Sequence, residues 1–242
     1  MPLYKKSAPY YDLLYAGKDY RGEARRLDAL IRRYKRSAGT ALLDVACGTG
    51  GHIAYLKHRY AVEGLDLDPA LLAIARRKHP DVRFRRGDME RFDLGRRFDA
   101  VICLFSAIGY MTTRSRLHRA VRTLGTHLRP GGVLIIEPWL TPERFEPGRA
   151  DGIFINHPGL KIARMNTTQR TGRRSTLTFH HLVGQRGRIS HFVERHVLGL
   201  FTLDEYATAL RAAGLRTIVE RRGLTGRGLL IGIAPMSQER PG

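Results

Sequence analysis

The sequence predicts an α/β fold: a mostly parallel sheet covered by helices on both faces, with an antiparallel β layer inserted late in the chain. Three observations carry this reading. Short aliphatic runs alternate with amphipathic stretches from Thr40 to Glu137. A glycine-rich turn follows the first of those runs. After Pro138 the texture changes to β-branched and aromatic segments divided by glycines.

Before the first strand, Gly22 to Arg36 reads as an amphipathic lead-in helix. Strands are expected at Ala41 to Ala46, Ala61 to Leu67, Val82 to Arg85, Phe98 to Phe105 and Val133 to Glu137. The helices between them start with Ile53 to Arg59. The next, Pro69 to Lys78, has Asp68 as N-cap and Pro69 at the first helical position, with Leu71, Leu72 and Ala75 on one face. A third runs from Thr113 to Leu128, where Arg129-Pro130-Gly131-Gly132 reads as a helix stop. The β-rich insertion, about 151–200, offers Lys161 to Thr168, Ser175 to Val183 and Ile189 to Leu198 as strands. Thr202-Leu203-Asp204-Glu205 is a capping box opening a helix that Gly214 closes, and Leu215 to Glu220 with Gly228 to Ala234 form a hairpin-like pair.

The chain has 242 residues, read as one domain over 1–242, and 43% of them are apolar, enough to bury a core and to exclude a disordered basic tail. No apolar run approaches the roughly 18 residues of a membrane span, and Met1 to Tyr20 offers no signal-peptide core. With two cysteines, Cys47 and Cys103, in apolar contexts, a four-ligand metal site is not expected and a reducing, cytoplasmic setting is. A net charge of +20, from 42 basic against 22 acidic residues, first suggests nucleic acid. Only seven of the basic residues are Lys, however, and the Arg residues are scattered in pairs along the chain, which fits a generally basic surface better than one stripe.

The most informative segment is Leu42-Leu43-Asp44-Val45-Ala46-Cys47-Gly48-Thr49-Gly50-Gly51. A buried strand runs into a turn whose glycines let the backbone approach a ligand, and the next helix points its N-terminus there. A dinucleotide fingerprint would want glycine at position 53, where Ile53 stands. Asp66, closing the second strand, could accept from both hydroxyls of a ribose. Asp88, after the third strand, could accept from an exocyclic adenine amine. Together they favour a nucleoside site.

At these residues the chain resembles the Rossmann-like, class I S-adenosylmethionine-dependent methyltransferases. More specifically, it is similar to the N,N-dimethyltransferases that act on nucleotide-linked aminodeoxysugars in macrolide pathways. The similarity lies in Tyr11-Asp12 with Gly17-Lys18-Asp19-Tyr20, in Phe105-Ser106-Ala107-Ile108-Gly109-Tyr110, in Glu137-Pro138-Trp139, in Ser190-His191 to His196, in Leu200-Phe201-Thr202 and in Gly226-Arg227-Gly228-Leu229. Leu140 departs from the family, which commonly has an aromatic there, and the position of Tyr110 can be His in relatives. The resemblance implies a seven-stranded sheet with an inserted β layer, a homodimer, S-adenosylmethionine as cofactor and a dTDP-aminosugar as substrate.

On that reading Asp44, Ala46, Gly48, Thr49, Gly50, Asp66, Leu67, Asp88, Met89, Leu104 and Phe105 hold the donor. Tyr11, Lys18 and Tyr20 join them from an N-terminal block, about 1–36, that folds over the site as a lid. Tyr11, Tyr110 and Trp139 line the transfer site, with His181 ahead of His180 and His191 as proton acceptor. Ser106, Tyr110, Trp139, Arg170 and Arg227 bind the substrate. Arg227, between Gly226 and Gly228, is the first choice for the diphosphate, which calls for bidentate guanidinium contacts. Methyl transfer is an in-line displacement, so the site must chiefly align a neutral amine and exclude water. The alternatives are another small amine or hydroxyl as acceptor, a regulatory nucleoside-binding protein, or an RNA methyltransferase. The last normally shows Pro-Pro-aromatic after the fourth strand, where this chain reads Leu104-Phe105-Ser106-Ala107.

Overall fold

The strand Ala41–Val45 (β1) is buried along its whole length and lies inside the sheet, with a parallel neighbour on each side. On one side lie β2 (Ala61–Asp66) and β3 (Arg83–Arg86), and on the other β4 (Phe98–Cys103) and β5 (Leu128–Ile136). The sheet is completed by β11 (Leu229–Ile233), antiparallel to β5, and β10 (Arg216–Glu220) at the edge, giving the order β10-β11-β5-β4-β1-β2-β3. The computed structural model describes residue 4 and residues 6–236. The expected lid and domain ranges include residues 1–3, 5 and 237–242, which lie outside the described residues.

Helices α2 (Tyr20–Tyr34), α3 (Ile53–Leu56) and α4 (Pro69–Lys78) cover one face, burying Leu27, Ile31, Ile53 and Leu72 against Leu42, Ile102 and Ile135. The other face takes α5 (Arg114–Thr126) and α6 (Leu203–Ala212), whose Leu117, Val121, Tyr206 and Leu210 meet Leu43, Val101 and Leu134. The expected caps form. Asp68 accepts from the Ala70 amide at 2.9 Å, and Thr202 and Glu205 make both bonds of a capping box. Asp19, not anticipated, caps α2 by accepting from Gly22 and starts that helix two residues early.

Three expectations need correction. Arg129-Pro130-Gly131-Gly132 is not a stop between helix and strand but part of β5: α5 has already ended at Thr126, and Gly131, at φ 71°, lets the strand shift register beside Phe98 and Ala100. The fourth strand ends at Cys103, because Phe105 and Ser106 both turn to positive φ. The insertion has four strands where three were expected: β6 (Ala150–His157) precedes β7 (Leu160–Thr171), β8 (Arg174–Gln185) and β9 (Arg188–Gly199). These pair antiparallel in sequence order. The short helix α1 (Tyr11–Leu14) lies between the two sheets, with Leu14 against Ile162, Val183 and Phe192 of the insertion and Tyr11 against Leu71 of α4. Cys47 and Cys103 are buried free thiols, both pushed upward in pKa by burial. Among the described residues no helix is long and apolar enough to cross a membrane.

Candidate active site

Two backbone turns at the carboxyl ends of β1 and β4 make the floor of the site. In the first, Ala46 (φ 60°), Gly48 (φ 57°) and Gly50 (φ 79°) all take the left-handed conformation, which glycine adopts without strain and Ala46 only at a cost. In the second, Phe105 (φ 51°) and Ser106 (φ 61°) do the same. The fully buried Glu137 holds that second turn, accepting from the Phe105 amide at 2.7 Å and from the Thr225 hydroxyl at 2.6 Å. Strand ends of a parallel sheet are where such folds bind ligands.

Between the turns and the inserted sheet lies a cavity of about 690 Å³. The proposed donor residues Tyr11, Ala46, Gly48, Asp66, Leu67, Asp88, Met89, Leu104 and Phe105 all line it. So do Ser106, Tyr110, Trp139, His181 and Arg227. Five proposed donor residues stand behind the wall. Asp44 is buried beneath it. Thr49 donates to Asp12 at 2.5 Å, and the Gly50 carbonyl faces His79 at 3.1 Å. Lys18 pairs with Glu23 and sits 4.6 Å over the Phe105 ring, while Tyr20 packs edge-on against His52. Arg170 is exposed away from the cavity, donating to the carbonyls of Pro142 and Gly172.

Asp66 accepts from the Gly48 amide on one oxygen (2.7 Å) and the Asp68 amide on the other (2.8 Å), so each oxygen keeps a lone pair for a further donor. Burial is the main reason its carboxyl lies above the usual range. Asp44 is pushed up further, by burial first and by the neighbouring Asp66 second. Among the described residues no ion pair reaches either acid. Two buried carboxylates without a cation, at the ends of β1 and β2, suit a ligand with ribose hydroxyls and positive charge. S-Adenosylmethionine, with its sulfonium and ammonium groups, fits that demand.

In another part of the lining, the Arg227 guanidinium stacks 5.0 Å over the Trp139 ring and donates to the Ser106 hydroxyl at 2.7 Å. Ser106 donates in turn to the Pro138 carbonyl (2.8 Å), and the Trp139 indole N–H donates to Ser175 of β8 (2.9 Å). The inserted sheet supplies a wall that sequence reasoning missed: Arg164 and Asn166 on β7 and Glu194 and His196 on β9. Their signal was a period-two stripe, Phe192, Glu194, His196 and Leu198, in which polar residues occupy the inward positions of a strand. Glu194 also fastens the N-terminal segment, accepting from the amides of Lys6 and Ser7 at 3.1 Å and from the Ser7 hydroxyl at 2.5 Å.

Comparison with known proteins agrees with this geometry. Residues 42–132 match the family described as methyltransferase domain. The chain is 42% identical over 230 residues to the dTDP-3-amino-3,6-dideoxy-alpha-D-glucopyranose N,N-dimethyltransferase of Streptomyces fradiae, covering 93% of this chain and 90% of the relative. It belongs to the dTDP-aminosugar N,N-dimethyltransferase family. A relative that acts on a 4-amino sugar, from Saccharopolyspora spinosa, is 40% identical over 93% of this chain and 92% of its own length. Among solved structures, Streptomyces venezuelae DesVI superposes with a TM-score of 0.88 at 39% identity, covering 95% of this chain and 98% of DesVI. CalS10 from Micromonospora echinaspora, an amino pentose methyltransferase solved with S-adenosylmethionine bound, gives a TM-score of 0.83 at 41% identity, covering 93% of this chain and 96% of CalS10. The chain is thus an S-adenosylmethionine-dependent methyltransferase with the seven-stranded sheet and inserted β layer that its sequence predicts.

Proposed function

We propose that this enzyme methylates the amino group of a dTDP-linked aminodeoxysugar twice, giving the N,N-dimethylated nucleotide sugar. The observation that carries the reading is one continuous cavity with the buried Asp66 in its wall, the buried Asp44 beneath it, and a guanidinium stacked on an indole in another part of its lining. A nucleoside with a cationic centre suits the carboxylates and a diphosphate suits the guanidinium. S-Adenosylmethionine, when bound, supplies an electrophilic methyl carried on sulfur.

The chain's own part is alignment. Asp66 and Asp88 receive the ribose hydroxyls and the adenine amine, with Met89 and Leu67 along the base, and the backbone at Ala46 and Leu104 is the proposed neighbour of the cationic end. Arg227 binds the diphosphate, and Ser106 and Trp139 fix the direction of its guanidinium. Tyr11 and Tyr110 border the space between, where the amine approaches the methyl. The N-terminal segment covers that space and excludes water: Tyr4 donates its amide to Asp68 at 3.1 Å, Asp12 bridges Thr49 and Lys78, and Ser7 holds Glu194. Lys18 stiffens the lid from behind through Glu23 and Phe105.

The outer face of the inserted sheet exposes Phe154, Met165, Leu182, Ile189 and Val193 together, and a second copy of the chain is its proposed partner. Leu182→Glu is expected to convert a dimer to a monomer in light scattering. A cytoplasmic location suits two reduced, buried thiols.

The deciding experiment is mass spectrometry of products from a panel of dTDP-aminosugars and free amines. A gain of two methyl groups on a dTDP-aminosugar supports the reading, and methylation of free amines alone overturns it. Arg227→Ala is expected to raise KM for the nucleotide sugar at least tenfold, from the loss of about 1.5–3 kcal/mol of charged hydrogen bonding. Donor affinity should stay unchanged in isothermal titration.

A further inference from the structure

We propose that His196 is the proton acceptor for the second methylation, acting through Tyr110 as a relay. This rests on the amine-methylating function above and adds to it a route for the proton. The first transfer turns a neutral primary amine into a secondary ammonium. That nitrogen has no lone pair, so a proton must leave it before a second methyl can be accepted. In solution, water takes such a proton. In a cavity closed by the N-terminal segment, the site must offer an acceptor.

The geometry singles out one chain of groups. The Tyr110 hydroxyl lies at the cavity wall, 2.6 Å from Nδ1 of His196 and 3.3 Å from the Tyr4 hydroxyl. In the His196 tautomer that carries its proton on Nε2, Tyr110 donates to Nδ1, and its oxygen keeps one lone pair beside the one that faces the Tyr4 hydroxyl. Tyr110 itself cannot hold a negative charge there, because burial pushes its phenol well above the ordinary value. It can pass a proton on without storing it. The ammonium N–H bond breaks as that proton joins the Tyr110 oxygen, and the original Tyr110 O–H bond breaks as its proton joins Nδ1. The substrate is left as a neutral amine with its lone pair restored, and His196 becomes the imidazolium, so total charge is conserved.

The surroundings suit that role. His196 is 4% exposed and walled by the Tyr4 ring at 5.0 Å and the Phe179 ring at 5.3 Å. Burial lowers its pKa, so it waits neutral with Nδ1 open. The titratable groups that face it are Tyr110 from the turn after β4, Tyr4 from the N-terminal segment, Arg164 on β7, His181 on β8 and Glu194 on β9. Glu194 favours the imidazolium and Arg164 opposes it. His181 is the weaker candidate: no hydrogen bond connects it to Tyr110, and its own pKa falls to about 4. His196 lines the cavity as well, and its role in this route is to take up the proton that Tyr110 passes on.

The test follows the two transfers separately, with the primary-amine nucleotide sugar and its monomethylated form as substrates, from about pH 6 to about pH 10. His196→Asn keeps an oxygen acceptor for the Tyr110 hydroxyl but cannot take up a proton. It is expected to slow the second transfer about 100-fold at neutral pH, to accumulate monomethyl product, and to recover as pH rises. Tyr110→Phe is expected to reproduce that pH dependence, and donor affinity should be unchanged in both. Wild-type rates with the monomethyl substrate should level off well below the pKa of its free amine. The proposal is overturned if both variants keep the wild-type pH profile and product ratio, whatever their loss in rate. It is equally overturned if the wild-type rate tracks the neutral amine present in solution, a result that needs no variant to fold. Failure of the wild type to methylate either nucleotide sugar would instead refute the function on which the route depends.

Discussion

Asp44 and Asp66 carry a cost in the ligand-free protein. Both carboxyls are raised above their ordinary values by burial, so the folded protein without ligand binds protons more readily than the unfolded chain, and the two acids oppose folding as pH rises past that of free carboxylates. Asp44→Asn should therefore raise the ligand-free Tm by a few degrees while weakening S-adenosylmethionine binding, the reverse of an ordinary core substitution. Calorimetry with and without donor measures both. His181 acts at the other end of the scale. Its pKa is lowered to about 4 by burial, against an unfolded value near 6.5, so protonation favours the unfolded chain. Stability from this group is present above about pH 6.5 and is lost as pH falls toward 4, and His181→Phe should flatten that part of a Tm-against-pH curve.

At the scale of elements, the contact between the two sheets depends on one small residue. Gly109, in the 3₁₀ turn Ala107–Tyr110, leaves no room for a methyl group: a Cβ there would meet Trp139 at 2.9 Å and Leu198 at 3.0 Å. Gly109→Ala should push Trp139 and β9 outward, lowering kcat/KM for the nucleotide sugar at least tenfold with little change in donor Kd. The regular elements of the main sheet were legible because their signals are local. Asp68 before Pro69, the capping box at Thr202 and the strand-turn at Asp44 to Gly51 need no distant partner to be read. What was not legible depends on pairing. Arg129 to Gly132 looks like a stop until Leu128 pairs with Phe98 and Val133 with Ala100, which makes it an irregularity within β5, and Ala150–His157 has too mixed a pattern to be read as a strand before β7 lies beside it. The same holds in the site. Asp66, Tyr110 and Arg227 stand next to local punctuation, whereas Glu194 and His196 gain meaning only once alternate residues of β9 face the cavity.

Across the whole molecule, the charge of +20 that first suggests a long polyanion is spread rather than gathered. Arg114 and Arg173 share Glu205, Arg116 and Arg119 share Glu90, and Arg129 meets Asp99, each on a different part of the surface. The pairs at Glu205 and Glu90 involve exposed arginines and add little stability, about 0–1 kcal/mol each, whereas Asp99 is buried and also accepts from the Gly39 and Ala41 amides. The unbalanced remainder can still draw a nucleotide sugar toward the cavity from a distance. Added salt should then raise KM for that substrate while leaving kcat unchanged, a split that steady-state kinetics resolves.

The two cysteines have a use outside catalysis. Both thiols lie inside the fold and are pushed toward the unreactive protonated form, so the native protein should be silent to maleimides and to Ellman's reagent and release two thiols only on unfolding. A single cysteine introduced at the exposed Pro9 would then be the one labelled position in the molecule. A fluorophore there would ride on the segment that borders the cavity and report whether that segment moves when ligands bind.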